Sequence, residues 1–449
     1  MKAKNLTPKS NPAPSNSRRD FCKNTALISG ALILPTMSIN AMTTTIADKK
    51  LKLALVGCGG RGTGAANQAL RADENIELVA MADAFEDRLN DSYENLQKEF
   101  VDTKKLNVRP EHRFTGFDAA QKAIDLADVV ILATPPGFRP QHFEYAVNAG
   151  KHVFMEKPVA TDVPGIRKVL AAAKVAKEKK LNVVVGLQRH YQNNYIEIAK
   201  QIKEGKVGKI VSGQVYWNSD GVWVREREAG QSELEYQMRN WYYFNWLCGD
   251  HILEQHIHNI DVANWFIGEY PVSAQGMGGR QVRNGKEHGE IFDHHFVEFT
   301  YPSGAVIASQ CRHQPGTMNK VGEVFQGTKG AIEMNDAGTA FIKDLEGGDL
   351  FKYRGKDDPN PYQVEHDRLF ASIRSKGVIA DAENGAMSTL TAIMGRMATY
   401  SGKVITMEEA MNSELALVPQ DLNWQSAPPV KPNADGYYEI PTPGKSVVM

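Results

Sequence analysis

Cysteine is scarce in this chain of 449 residues. The four present, Cys22, Cys58, Cys248 and Cys311, form no CxxC pair and follow no regular spacing. Neither a disulfide framework nor a zinc ribbon is therefore suggested. No HExxH is present, so no metal site is expected. A dominant charge is missing too: the formal net charge is −1. Six of the basic residues (Lys2, Lys4, Lys9, Arg18, Arg19, Lys23) fall within positions 1–47 beside one acid, Asp20, which leaves a mildly acidic body. Such a balance gives nucleic acid nothing to bind. Long apolar runs are lacking as well. The run from Thr25 to Ile39 is broken by Pro35 and is short for a membrane span. Hydrophobic residues make up 42% of the chain, enough for a buried core without staples or metals.

What is present begins with an address. Ser17-Arg18-Arg19-Asp20-Phe21-Cys22-Lys23 precedes that apolar run, and Thr45-Ile46-Ala47 places small residues at a cleavage spacing. Charge followed by a short apolar stretch is the layout of an export signal, and the paired arginines resemble the twin-arginine type. We expect residues 1–47 to be removed and the mature chain to be periplasmic, without a membrane anchor, after passage through the twin-arginine machinery. That route carries folded proteins, often with a cofactor aboard.

Residues 50–56 (KLKLALV) read as a strand, Gly57-Cys58-Gly59-Gly60-Arg61-Gly62 as a turn, and Thr63 to Arg71 as a helix. A second apolar strand, Ile76 to Ala82, ends at Asp83. This is the dinucleotide fingerprint in its full context. Gly57 permits the tight turn, Gly59 admits the pyrophosphate, and Gly62 lets helix and strand pack closely. The pyrophosphate sits on the helix N-terminus. Asp83 accepts hydrogen bonds from the ribose and repels a 2′-phosphate, which favours NAD over NADP. Gly60 and Arg61 complete the cofactor loop. Residues 127–133 form a buried parallel strand that ends in Thr134-Pro135-Pro136, with His142 at a helix start. The strand at 152–155 runs into Glu156-Lys157-Pro158, and 181–185 into Gly186-Leu187-Gln188-Arg189.

The glycine loop, the Thr134-Pro135 segment with His142, and above all Glu156-Lys157-Pro158 resemble the Gfo/Idh/MocA family of sugar oxidoreductases. The likeness runs from about Leu51 to about Ala410. It implies an α/β protein: an N-terminal Rossmann domain and a C-terminal α+β domain with a large, mostly antiparallel open sheet. The boundaries expected are 48–186 and 187–418, with a Pro-rich tail at 419–449. Period-two alternation at 293–300, 304–311, 321–326 and 331–335 fits that sheet. The resemblance also implies NAD held by Thr134, Pro135, His142, Glu156, Lys157 and Gln188 beside the glycine loop, and a homo-oligomer through the open sheet.

The segment Gly249 to Gly268 reads as one helix, with Glu254, His258, Asp261 and Trp265 in a stripe away from Leu253, Ile257, Ile260 and Ile267. At a spacing of four, Glu254 can orient His258 as a general base. The family carries a D-x-G-x-H-x-x-D-like stretch here. In this chain Glu254 replaces the Asp and His256 the Gly. The expected catalytic set is Lys157, His258 and Glu254. The expected substrate set is Lys157, Arg189, Trp246, His256 and His258, with a carbohydrate as the partner. The aromatics from Trp241 to Trp246 read equally as core or as a platform for a sugar face. The expected activity is oxidation of a sugar or glycoside hydroxyl, ring C3 among them, with a tightly bound, internally recycled NAD. The alternatives are a redox-neutral NAD-dependent glycosidase and a non-catalytic sugar or nucleotide sensor.

Overall fold

A computed structural model describes residues 49–449, so the expected signal segment lies outside the described residues. The first sheet has six parallel strands: β1 (Leu51–Val56), β2 (Ile76–Asp83), β3 (Arg113–Thr115), β4 (Val129–Leu132), β5 (His152–Met155) and β6 (Val183–Val185). Their order is β3-β2-β1-β4-β5-β6. The winding reverses between β1 and β4, which opens a crevice at the carboxyl ends of the strands. β4 is buried throughout because helices cover both sides of a parallel sheet. Helix α1 (Gly60–Ala72) turns Ala65, Ala66, Ala69 and Leu70 inward, and α2 (Glu86–Glu99) follows β2.

The second sheet has nine strands: β7 (Ile210–Ser219), β8 (Ser273–Gly279), β9 (His294–Thr300), β10 (Val306–His313), β11 (Lys320–Gly327), β12 (Ala331–Asn335), β13 (Thr339–Lys343), β14 (Asp349–Arg354) and β15 (Ile405–Thr406). Their order is β14-β13-β12-β11-β7-β10-β9-β8-β15, with β7 and β10 parallel and every other pair antiparallel. In β9, His295, Val297 and Phe299 are buried while their neighbours are half-buried, the alternation of a sheet with one covered face. The buried helix Ala382–Ser401 runs along β8 and β9 on that face.

Two features depart from the sequence reading. The segment 249–268 is not one helix: it breaks at Gln255 and His256 into His251–Glu254 and Ile257–Ile267. The second piece is buried almost all round, so His258 and Asp261 face neighbours rather than solvent. Its register relative to Glu254 is no longer that of a single helix, and the i,i+4 contact is lost. The C-terminal residues also return to the first sheet. Leu369 and Phe370 of helix Pro361–Arg374 join the core beneath α1, and Arg374 pairs with Asp73.

Candidate active site

The glycine loop shows why each position is glycine. Gly57 has φ +96°, and a Cβ there would sit 2.5 Å from the Ala133 backbone. A Cβ on Gly62 would meet the Gly57 carbonyl oxygen at 1.9 Å. Gly59 and Gly60 meet nothing within 4 Å, because they face open space. Gly59 caps α1 without a side-chain hydrogen bond, and the first turn holds no acid. Free N–H groups at this end suit a pyrophosphate. Asp83 is set by two amides: Cys58 N donates to it at 2.6 Å and Phe85 N at 3.0 Å. Burial raises its pKa. Each carboxylate oxygen has a further lone pair for a hydroxyl donor.

These residues line one cavity of about 370 Å³. Of the expected cofactor set, Gly57, Gly59, Gly60, Arg61, Gly62, Asp83, Thr134, Pro135 and His142 lie on its wall. Glu156, Lys157 and Gln188 do not. Glu156 instead accepts from Arg61 and so braces the loop. Gln188 follows β6, and its buried Oε1 has no partner among the described residues. His142 bonds Thr134 at 3.3 Å, and burial pushes its pKa down to about 4, so the ring is neutral. Open glycines, a bare helix end and a ribose-facing carboxylate together fit a nicotinamide dinucleotide.

Beyond β5, Lys157 meets the first of the two short helical pieces. Its Nζ donates to Glu254 Oε1 at 3.3 Å and to the Glu254 backbone carbonyl. Both side chains are mostly buried. Glu254 therefore serves Lys157, not His258, which corrects the expected acid–histidine pair. Burial lifts the Glu254 pKa, while Lys157 and Arg139 oppose the rise. His258 packs against Trp217, with ring centroids 5.9 Å apart. Burial, reinforced by Lys157 and Arg189, holds its pKa well below the ordinary value. The ring is a neutral imidazole, the form that accepts a proton.

Other expected substrate residues are placed differently. Trp246 is fully buried, its indole N–H bonded to Gln237 and its ring edge against Phe138, so it supports a wall residue instead of forming the wall. Arg189 is consumed by Glu323 at 2.5 Å, and Tyr195 and Asn259 also bond that carboxylate. His256 is buried and bonds Ser309 at 2.8 Å. Asp261 holds His190 at 2.7 Å together with Ser388 and Asn384.

The structure adds Arg283, His313 and Asp250, which sequence reasoning missed, and places Tyr242 of the aromatic cluster beside His313. Tyr242 is buried, its hydroxyl has no partner among the described residues, and it stacks on His313 at 6.0 Å. Arg283 donates to His313 Nδ1 at 2.6 Å. A guanidinium only donates, so Nδ1 accepts and Nε2 carries the proton, again without a partner among the described residues. Behind them, Asp250 accepts from His251 N, His251 Nδ1, Phe292 N and Tyr400 OH, with His295 Nε2 at 3.2 Å. Asp250, His251 and His295 are of metal-ligand type, but four donors already occupy this carboxylate, which makes it a hydrogen-bond hub. No single spacing signal marks these residues, because they come from short helical turns, a loop, a long helix and the ends of two strands.

Comparison with known proteins agrees with this architecture. The model of the oxidoreductase family with an NAD-binding Rossmann fold matches residues 51–187, and the model of the GFO/IDH/MocA C-terminal domain matches 195–333. The inositol 2-dehydrogenase of Rhizobium meliloti (strain 1021) is 24% identical over 350 residues, covering 76% of this chain and 94% of that protein. The structure of levoglucosan dehydrogenase in complex with NADH and levoglucosan superposes with a TM-score of 0.63 at 18% identity, over 80% of this chain and 99% of its own. The aldose–aldose oxidoreductase of Caulobacter crescentus, complexed with glycerol, gives 0.62 at 20% identity, over 80% and 100%. These likenesses show the fold. The two family models together span more than half of the sequence, and the chain belongs to the Gfo/Idh/MocA family of oxidoreductases, with its NAD-binding Rossmann fold.

Proposed function

We propose that this chain is an exported NAD-dependent oxidoreductase acting on a hydroxyl of a sugar or glycoside, ring C3 among its targets, with a dinucleotide that is held tightly and recycled in place. The observation that carries the reading is the meeting of Lys157, from the end of β5, with Glu254 and a neutral, buried His258. Bound NAD supplies the hydride acceptor. His258 accepts the hydroxyl proton. The Lys157 ammonium, held by Glu254, stabilises the oxygen as negative charge develops on it. Trp217 fixes the plane of the His258 ring. Tyr242 OH and His313 Nε2 offer hydrogen bonds to further hydroxyls. The names of the relatives point the same way, since inositol, levoglucosan and aldoses are all polyhydroxylated.

Export rests on the twin-arginine-like segment in residues 1–47. A periplasmic enzyme has no pool of free NAD, so recycling then requires a second carbonyl compound to take the hydride back. Half-buried and exposed side chains on the uncovered face of the second sheet, Met277 and Val306 among them, suit self-association. The test is a panel of glucosides, galactosides and free sugars given to the purified protein with NAD. Lasting reduced-nicotinamide absorbance supports a dehydrogenase. Aglycone release without net reduction indicates the redox-neutral glycosidase, and binding with neither indicates a sensor.

A further inference from the structure

Near Asp83, the cavity is lined in part by residues remote in sequence from the glycine loop. Phe85 and Phe117 line it close to Asp83. Trp424, in the tail, packs against both rings, at centroid distances of 5.4 Å and 4.9 Å. Arg239 also lines the cavity and donates twice to Asp87 in the first turn of α2, at 3.0 Å and 3.1 Å. Its guanidinium stands 4.1 Å from the centroid of the Phe85 ring. Trp223, Arg225, Met238 and Trp241 extend this wall.

Both closing segments are fastened elsewhere. Tyr243 OH donates to the Trp223 carbonyl, and Arg225 N donates to Asn240. The tail is tied by Leu417 N to Asp162, by Gln237 to the Val430 carbonyl and by Tyr438 OH to Glu233. Gln237 and Glu233 lie on helix Glu233–Arg239, so tail and wall are tied to each other.

We infer that segment 222–241 and the tail around Trp424 form a clasp over the adenosine half of the dinucleotide, which keeps it captive between turnovers. This rests on the proposed function, to which it adds the retention device. An exposed ion pair holds little by itself. Here the Arg239–Asp87 pair, the Arg239–Phe85 stack and the Trp424 buttress must open together, and the dinucleotide leaves only when the segment opens locally.

The full-length protein is loaded with NAD, desalted and mixed with isotopically labelled NAD. Label in the denatured protein is then followed by chromatography over time. Wild type exchanges at least about tenfold more slowly than Trp424→Ala and Arg239→Ala, while Trp424→Phe stays near wild type. Melting temperatures identify any variant that has unfolded, and Asp87→Asn then supplies the second test of the same ion pair. Wild type exchanging as fast as the folded variants, or folded variants exchanging as slowly as wild type, overturns the clasp. Sugar oxidation with rapid exchange sinks the clasp alone. Slow exchange with no turnover of any sugar sinks the function alone.

Discussion

Lys157 Nζ stands 3.3 Å from Glu254 Oε1, and through this contact the end of the first sheet grips the helix that leads to His258. The carboxylate positions the lysine, and the lysine in turn helps to keep the neighbouring imidazole neutral. In the proposed reaction, one charged group thus both stabilises the developing oxyanion and discourages protonation of the base.

Removing that charge separates chemistry from binding. Lys157→Met is expected to lower kcat by about 10²–10³-fold with little change in NAD affinity, because the loop glycines and Asp83 hold the dinucleotide. Steady-state kinetics beside calorimetric NAD titration checks both halves.

The pH profile follows from the neutral state of His258. Its folded pKa lies well below 6.5, through burial first and then Lys157. The rate constant kcat/KM is expected to stay level as pH falls through 6.5, with the acid limb lower. The sign for stability is the same: an imidazole with a depressed pKa loses stabilisation as pH falls below the unfolded value. A His258→Asn variant should lose about 10²–10⁴-fold in kcat/KM at neutral pH. An inflection at 6.5 in the wild-type profile would place the base elsewhere.

Two glycines give a contrast. Gly59→Ala adds a methyl group into open space, so the melting temperature should hold while NAD affinity falls by about tenfold or more. Gly62→Ala drives a Cβ to 1.9 Å from the Gly57 carbonyl oxygen, so both should fall. Thermal melts with and without NAD separate the two cases.

Arg189 and Glu323 form a fully buried pair at 2.5 Å. Glu323→Ala leaves an unpaired buried guanidinium and is expected to cost about 3–5 kcal/mol in unfolding free energy by chemical denaturation. A small change would mean that Arg189 finds another partner.

Much of the nucleotide half was legible because its signals are local. A strand, a glycine turn and a helix follow one another, and each glycine answers a steric demand from the chain beside it. The alternation in β9 and β10 likewise marked a sheet with one covered face. The site beyond the nucleotide was only partly legible. Glu254 and His258 stand at helical spacing in sequence, but the break at Gln255 and His256 sends the carboxylate to Lys157. Trp246 and Arg189 looked like wall residues because nothing local says that Gln237 and Glu323 wait for them in the interior. The Pro-rich composition of the tail carries no sign that Trp424 packs on Phe85 and Phe117, more than three hundred positions away. Such long-range pairings have no periodicity to betray them.

The most direct test of the account is a double-mutant cycle on single-turnover sugar oxidation, comparing wild type, Lys157→Met, His258→Asn and the double variant, each loaded with NAD. Groups that act on one oxygen are strongly coupled, so the double variant should be scarcely slower than the worse single variant. Losses that simply multiply would show that Lys157 and His258 work on separate parts of the reaction.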